Sequence, residues 1–333
     1  MLKNILEFQY GIQADEELRI GEYTACRKQE KIYILIPVDG YDDSVLNELH
    51  LLSEHLVKTG EKYCSTFLKT KEGKNTCEWQ NGKYAILNSR QIQNRKISRL
   101  GRKLAKFHYR GRLVTFQVEK ISRIGQWKQL WEQRLEQMEA VWNEMLFQHP
   151  DNEFERMFFE SFPYYRGLAE NAIQYLVDSE LDDDPGLTDH GTVCHERLTA
   201  ETWMNSYYMK NPFQWVFDHS ARDLAEWTRE RYFRNIKTYE PDLRLFLQDY
   251  QSIVPLTSFS WRLLYARLVF PLHYFNCIET YYGTGSEQKQ RMLEESLQKY
   301  LQQTDDHEHF LASFYDFAEV PVKKMKIPII SWL

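Results

Sequence analysis

The chain has 333 residues, 43% of them hydrophobic, enough to bury a core in one large α/β domain or in two lobes. Its 48 acidic residues against 42 Lys plus Arg give a net charge of −6, which excludes bulk electrostatic attraction to nucleic acid. No stretch approaches the ~18 apolar residues of a membrane span. Met1-Leu2-Lys3-Asn4 leads into no apolar signal run, and Cys26, Cys64, Cys77, Cys194 and Cys277 form no Cys-x-x-Cys pair. The expectation is a protein with reduced thiols, made and kept on the cytosolic side of its membrane.

Residues 1–90 read as strand-rich. Ile32-Tyr33-Ile34-Leu35-Ile36 is a β-type run. Asn81-Gly82, between Cys77-Glu78-Trp79 and Tyr84-Ala85-Ile86-Leu87, predicts a two-residue hairpin loop with both turn residues at positive φ. Glu72-Gly73 marks a similar turn. One helix interrupts the strands, with Val45, Leu49, Leu52 and Leu56 as its apolar stripe. Residues 91–333 read as helical. Leu100, Leu104, Phe107 and His108 share a face, and Arg99, Arg102, Lys103, Lys106, Arg110 and Arg112 read as the solvated side of the same stretch. Ile124, Trp127, Trp131, Met138, Trp142 and Met145 predict a long amphipathic helix. Further helical periods cover residues 155–178, 221–236, 242–250, 256–281 and 287–303. An acidic loop, Asp182-Asp183-Asp184-Pro185-Gly186, intervenes, and the tail, Ile327-Pro328-Ile329-Ile330-Ser331-Trp332-Leu333, is apolar and expected to pack on the body. The predicted class is α+β: a small mixed N-lobe, 1–90, followed by a mostly helical C-lobe, 91–333.

The stretch with most chemical content is Val193-Cys194-His195-Glu196-Arg197-Leu198-Thr199-Ala200-Glu201-Thr202-Trp203. It resembles the catalytic loop of aminoglycoside and choline kinases, His-Gly-Asp-Leu-His-x-x-Asn, in position but not in chemistry. Arg197 stands where that family has its catalytic Asp, and Thr202 where it has its metal-binding Asn. Phe213-Gln214-Trp215-Val216-Phe217-Asp218-His219 looks like the strand ending in the family's Asp-Phe-Asp motif, which makes Asp218, 21 residues after Arg197, the metal-binding Asp. Arg222-Asp223-Leu224-Ala225 is similar to the Asp-Leu-Ala helix start, with Asp223 as its structural Asp. Gly101-Arg102-Lys103-Leu104-Ala105-Lys106-Phe107-His108 is similar to the Leu-Ala-x-Phe-His helix, with His108 as a structural residue. These matches run in the family's order over roughly residues 5–320.

Within that superfamily the chain is similar to the kinase-like spore-coat proteins of endospore-forming bacteria, the CotS type. The cues are His55-Leu56-Val57-Lys58-Thr59-Gly60, Phe67-Leu68-Lys69-Thr70-Lys71-Glu72-Gly73-Lys74 and Gly82-Lys83-Tyr84-Ala85-Ile86-Leu87. The resemblance implies a protein-kinase-like two-lobed fold and a role in sporulation. It implies other spore-coat proteins as partners, no small-molecule substrate, and a place in the spore coat after synthesis in the mother-cell cytoplasm.

The substituted positions carry their own chemical argument. Phosphoryl transfer relies on positioning and charge neutralisation, with a carboxylate orienting the attacking hydroxyl and a metal held against the phosphates. A guanidinium stays protonated and cannot be a general base, and losing such a base costs about 10²–10⁴ in rate. The alternative register, starting at His190-Gly191, puts Thr192 at the base position and loses the base as well. Kinase-like folds also need a Lys on the third strand, paired with a helix Glu. Residues 33–38 contain no Lys, and Ile36 or Pro37 falls at that position, leaving Glu48 as the vestigial partner and Glu54 as the second choice. The expectation is therefore no cofactor and no catalytic residue, with Asp218 a weak metal candidate and Arg197 its candidate counter-ion. Three rival sites lack the geometry or spacing their chemistry needs. Cys194 and His195 are strand neighbours that point to opposite faces. Asp305-Asp306-His307-Glu308-His309 lacks the His-Glu-x-x-His spacing and reads as a helix start. Asp189, His190, His195 and Glu196 share metal-friendly types only.

Overall fold

The computed structural model describes residues 1–90, 99–147, 149–199, 202 and 210–330. They form two compact units: residues 1–123, 190–230 and 248–254 make the first, and residues 124–189, 231–247 and 255–333 the second.

The first unit is built on an antiparallel sheet. Strands β1 (Glu16–Ile20), β2 (Tyr23–Lys28), β3 (Lys31–Pro37), β4 (Thr66–Phe67), β5 (Thr76–Trp79) and β6 (Gly82–Arg90) run in the order β1-β2-β3-β6-β4, with β5 also on β6. In β3 the run from Ile32 to Ile36 is buried on both faces, which is why it reads as continuous apolar sequence rather than alternation. Tyr33 and Leu35 join Cys26, Cys77 and Ile86 in a core covered by Leu2, Ile5 and Leu6. Those three lie on helix α1 (Leu2–Ile5) and the π-helical turn that continues it to Tyr10. Gly11, at φ 69, ends this segment, its N–H on the Glu7 carbonyl (3.1 Å), and Lys71 Nζ donates to the carbonyls of Glu7 (3.3 Å) and Phe8 (2.8 Å).

The β5–β6 hairpin corrects the predicted turn. Trp79 pairs with Gly82, so the two-residue loop is Gln80-Asn81, and Gln80 takes the positive φ of 54. Gly82 begins the strand instead, where a Cβ would lie 2.7 Å from the Tyr84 hydroxyl. Helix α2 (Asp43–Lys58) follows β3 and buries Leu46, Leu49, Leu52 and Leu56. Helix α3 (Leu100–Arg112) buries Leu100, Leu104, Phe107 and His108 as its periodicity predicts. Its basic side is not wholly solvated: Arg110 binds Glu61 and the Thr59 carbonyl, and Arg112 donates to Ser220 Oγ (3.0 Å). Residues 91–98, which precede that basic run and include Arg95, lie outside the described residues. A two-stranded ribbon pairs β7 (Thr192–His195) with β8 (Trp215–Asp218), and helix α6 (Ala221–Arg234) follows it. Gly111 of α3 meets β7 so closely that a Cβ there would lie 2.4 Å from Thr192 Oγ1 and 2.7 Å from the Val193 nitrogen.

The second unit is helical: α4 (Trp127–Met145), α5 (Glu153–Asp182), α8 (Ser258–Val269), α9 (Leu272–Gly283), α10 (Glu287–Gln302), α11 (Thr304–Phe317) and α12 (Val322–Met325), with α7 (Tyr239–Gln251) preceding α8 in the chain. Asn152 caps α5 through Oδ1, which accepts the Glu155 N–H at 3.0 Å. The helical period over 256–281 breaks in two because Pro271 has no N–H to donate. Helix α8 is buried all round from Phe259 to Val269. Trp131 stacks on Phe270 at 4.6 Å, and Tyr165 on Tyr274 at 3.7 Å. Of the tail, Ile327 is buried and the Pro328 carbonyl accepts the Tyr175 hydroxyl at 2.9 Å, while residues 331–333 lie outside the described residues. Among the described residues no helix is long and apolar enough to cross a membrane.

Candidate functional site

The segments singled out in the sequence converge in the first unit. At their centre Asp223, fully buried, has its two carboxylate oxygens engaged. Oδ2 accepts from His195 Nδ1 (2.7 Å) and from His108 Nε2 (3.0 Å), and Oδ1 accepts the backbone N–H of His195 (2.9 Å). Burial opposes the Asp223 charge, but the imidazoles of His195 and His108 outweigh it and hold the carboxyl well below its usual range. Burial also dominates at His108 and lowers it to about 4, against the opposing pull of Asp223. The ring is therefore neutral at pH 7, with its proton on Nε2. Its Nδ1 accepts the Tyr250 hydroxyl at 2.8 Å. This hub ties α3, β7 and α6 together.

Asp218, 1% exposed, ends β8 beside the hub. Its Oδ1 accepts the His219 N–H (2.7 Å) and its Oδ2 accepts Arg222 Nη1 (3.1 Å). The same guanidinium donates from Nε to the His195 carbonyl (3.0 Å) and from Nη2 to the Glu196 carbonyl (3.0 Å). Burial works against the Arg222 charge, but Asp218 and Glu226 outweigh it and raise the group above its ordinary value. Arg222 is thus a cationic staple between the metal-type Asp and the catalytic-type loop. The sequence reading placed it merely at a helix start and named Arg197 as the counter-ion. Arg197 is an exposed residue whose carbonyl accepts the Thr202 hydroxyl at 3.2 Å.

Thr202 sits in a local turn, its Oγ1 3.0 Å from Thr199 Oγ1 and its N–H on the Thr199 carbonyl. Ala200, Glu201 and Trp203 lie outside the described residues. A Mg²⁺ ion asks for near-octahedral oxygen ligands, with one or two carboxylates. Asp218 offers oxygens already held by a guanidinium and an amide, and Thr202 offers a hydroxyl engaged in its own turn, so this donor set does not fit the ion. His108, Cys194 and Asp223 also bring donor atoms within 4.8 Å of one another. There both carboxylate oxygens already accept N–H donors, and burial pushes the Cys194 thiol well above its ordinary value, leaving it protonated. Its Sγ lies 3.5 Å from the His219 carbonyl. The cluster is a hydrogen-bonded core, and Cys194 is no nucleophile.

Glu48 has a different place from that of a lysine's orphaned partner. Its carboxylate accepts the backbone N–H groups of Glu119 (2.9 Å), Lys120 (2.9 Å to Oε2) and Ile121 (3.1 Å). That segment pairs in turn with β8, through Phe217 N–H to the Ile121 carbonyl (2.9 Å) and Arg123 N–H to the Phe217 carbonyl (2.8 Å). Glu48 thereby anchors the strand that carries Asp218. On β3, Ile36 is buried and Pro37 exposed.

The family model described as "Spore coat putative kinase YutH" matches residues 3–314. The chain belongs to the YutH family. It is 39% identical over 334 aligned positions to the endospore coat-associated protein YutH of Bacillus subtilis (strain 168), covering 100% of this chain and 98% of that one. It is 25% identical to the spore coat protein S of the same organism over 66% of this chain and 63% of that one. Among solved structures, an aminoglycoside phosphotransferase from Alicyclobacillus acidocaldarius superposes with a TM-score of 0.70 at 14% identity, covering 93% and 94% of the two chains. A microcompartment-associated aminopropanol kinase gives 0.61 at 13% identity, covering 92% and 98%. These similarities show that the YutH-family chain has the aminoglycoside phosphotransferase-like, kinase-like fold.

Two further groups complete this YutH-family site, and the sequence reading missed both. Lys210, buried, pairs with Glu61 and lies 4.8 Å over the Phe107 ring; burial lowers it against the pull of Glu61. Its two partners are remote in sequence, so no local motif signals it. Arg222 was legible in principle: it stands four residues after Asp218, so the first turn of α6 brings the two together.

Proposed function

We propose that this chain is a non-catalytic, kinase-like protein of the spore coat that acts in coat assembly through contacts with other coat proteins. The observation that carries the pseudokinase reading is the Arg222 guanidinium on Asp218 and on the carbonyls of His195 and Glu196. It supplies the cation of the site from within the chain, and Arg197 supplies no base. The loop keeps its shape through the Asp223 hub while the groups that transfer phosphate are replaced. The coat association is supported by family membership and by the relatives named above. Synthesis in the mother cell follows from the same reading.

The test is thermal unfolding of the purified protein with and without millimolar ATP and Mg²⁺. A ligand at 100 times its Kd stabilises by about 2.7 kcal/mol, a readily measured shift. The expected result is no shift and no ATP turnover. A Mg²⁺-dependent shift accompanied by turnover on hydroxyl compounds overturns the proposal in favour of a small-molecule kinase with an altered mechanism. Coat components that localise normally when the gene is deleted overturn the assembly role.

A further inference from the structure

One face of the second unit sets opposite charges side by side around a cavity. Helix α5 ends at Asp182, and Asp183, with extended backbone, and Asp184 follow it in the chain. Lys323 and Lys324 of α12 and the following Lys326 are all exposed, and with Asp182 and Asp183 they line a cavity of about 820 Å³. Arg262, 3% exposed, closes the inner wall, donating to Ser179 Oγ (3.1 Å) and to Asp182 Oδ2 (3.2 Å). Asp182 is therefore partly neutralised within the chain. Asp183, Asp184 and the three lysines make no ion pair among the described residues. Three large apolar side chains stand out on or next to these segments: Leu181 at 78% exposed, Leu187 at 85% and Ile329 at 64%.

We propose that this face is a self-complementary interface through which two copies of the chain pair about a two-fold axis. In such a contact the same patch meets itself turned round, so each feature meets the other copy's complement twice. The Asp183-Asp184 rim of one copy faces the Lys323, Lys324 and Lys326 rim of its mate, and the reciprocal pairing repeats the match. The protruding Ile329 on the cavity wall supplies the apolar contact between the two copies. A polyanionic partner matches the lysines but meets the adjacent aspartates, and a polycation has the converse difficulty. A second copy satisfies both halves at once, and that decides the occupant.

The experiment is sedimentation velocity on the full chain at low and high salt. The wild type is expected to sediment as a dimer that weakens as salt rises. Asp183→Lys with Asp184→Lys, and separately Lys323→Glu with Lys324→Glu and Lys326→Glu, each place like charges across the axis. Each should weaken the dimer by roughly 100-fold or more. Mixed in equal amounts, the two variants should recover the dimer mass as a heterodimer, which a misfolded variant cannot do. Asp182 is left intact because Arg262 uses it. A wild type that is monomeric at all concentrations, variants that dimerise as well as the wild type, or a mixture that stays monomeric would each overturn the proposal.

Discussion

Arg222→Ala is the sharpest perturbation of the candidate site. It removes the donors to Asp218 Oδ2, to the His195 carbonyl and to the Glu196 carbonyl. Asp218 is 1% exposed, so its charge is left in a low-dielectric place without the guanidinium, while Oδ1 still accepts the His219 N–H. Removing one partner of a buried pair costs about 3–5 kcal/mol, most of it the desolvation of the stranded charge. Asp218→Asn in the same background removes that charge, so the double variant should be more stable than Arg222→Ala alone, with a coupling energy of about 1–3 kcal/mol. The assay is urea unfolding of the four proteins of the cycle, followed by tryptophan fluorescence. An Arg222→Ala protein within ~0.5 kcal/mol of wild type, or two substitutions that simply add, would refute the staple, because an exposed and screened pair gives that result.

Acid should weaken the hub in a defined window. The neutral imidazole of His108 is held down at about 4, against an ordinary value of 6.5, so between those pH values the unfolded chain binds a proton that the folded chain refuses. Its stability contribution is complete above about pH 6.5 and is lost as pH falls toward 4, by up to ~3 kcal/mol for an uncoupled group; Asp223, also depressed, extends the loss below that range. Urea midpoints at pH 7 and pH 5 measure it, and equal midpoints would contradict it. Gly111→Ala should cost more than about 2 kcal/mol, since its Cβ meets backbone at 2.7 Å, whereas Gly167→Ala in α5, with nothing within 4 Å, should stabilise by roughly 0.5–1 kcal/mol. Melting of the two variants in parallel checks the contrast. Glu48→Ala strands three amide donors and should cost about 2–3 kcal/mol, and Glu48→Gln, which keeps one acceptor oxygen, distinctly less; hydrogen exchange at Glu119, Lys120 and Ile121 reports the loss directly.

Local pattern carried most of the fold. A buried central strand has to be apolar throughout, so β3 is visible as Ile32 to Ile36, and the stripe of α2 and the aromatic face of α4 follow from a 3.6-residue period. The order of the kinase-like segments was visible too, because each is a short run whose residue types meet a local need. The hairpin at Gln80-Asn81 was misplaced by one residue because Asn-Gly suits a turn, while Gly82 here answers the crowding of the Tyr84 ring. The break at Pro271 was overlooked because the apolar period runs on across it.

The sequence by itself determined which side chains stand in the kinase-like segments: Arg197, which cannot act as a base, Thr202, which is not an amide, and no lysine among residues 33–38. Those are properties of side-chain chemistry, set before the chain folds. Tertiary structure alone decided what stands in their place. Asp223 gathers imidazoles from α3 and β7. Glu48 reaches the amides at residues 119–121, and Lys210 reaches Glu61. These partners lie 28 to 149 residues apart in the chain. A charge or an amide acquires its partner only when the fold closes that distance, and burial then makes the pairing obligatory.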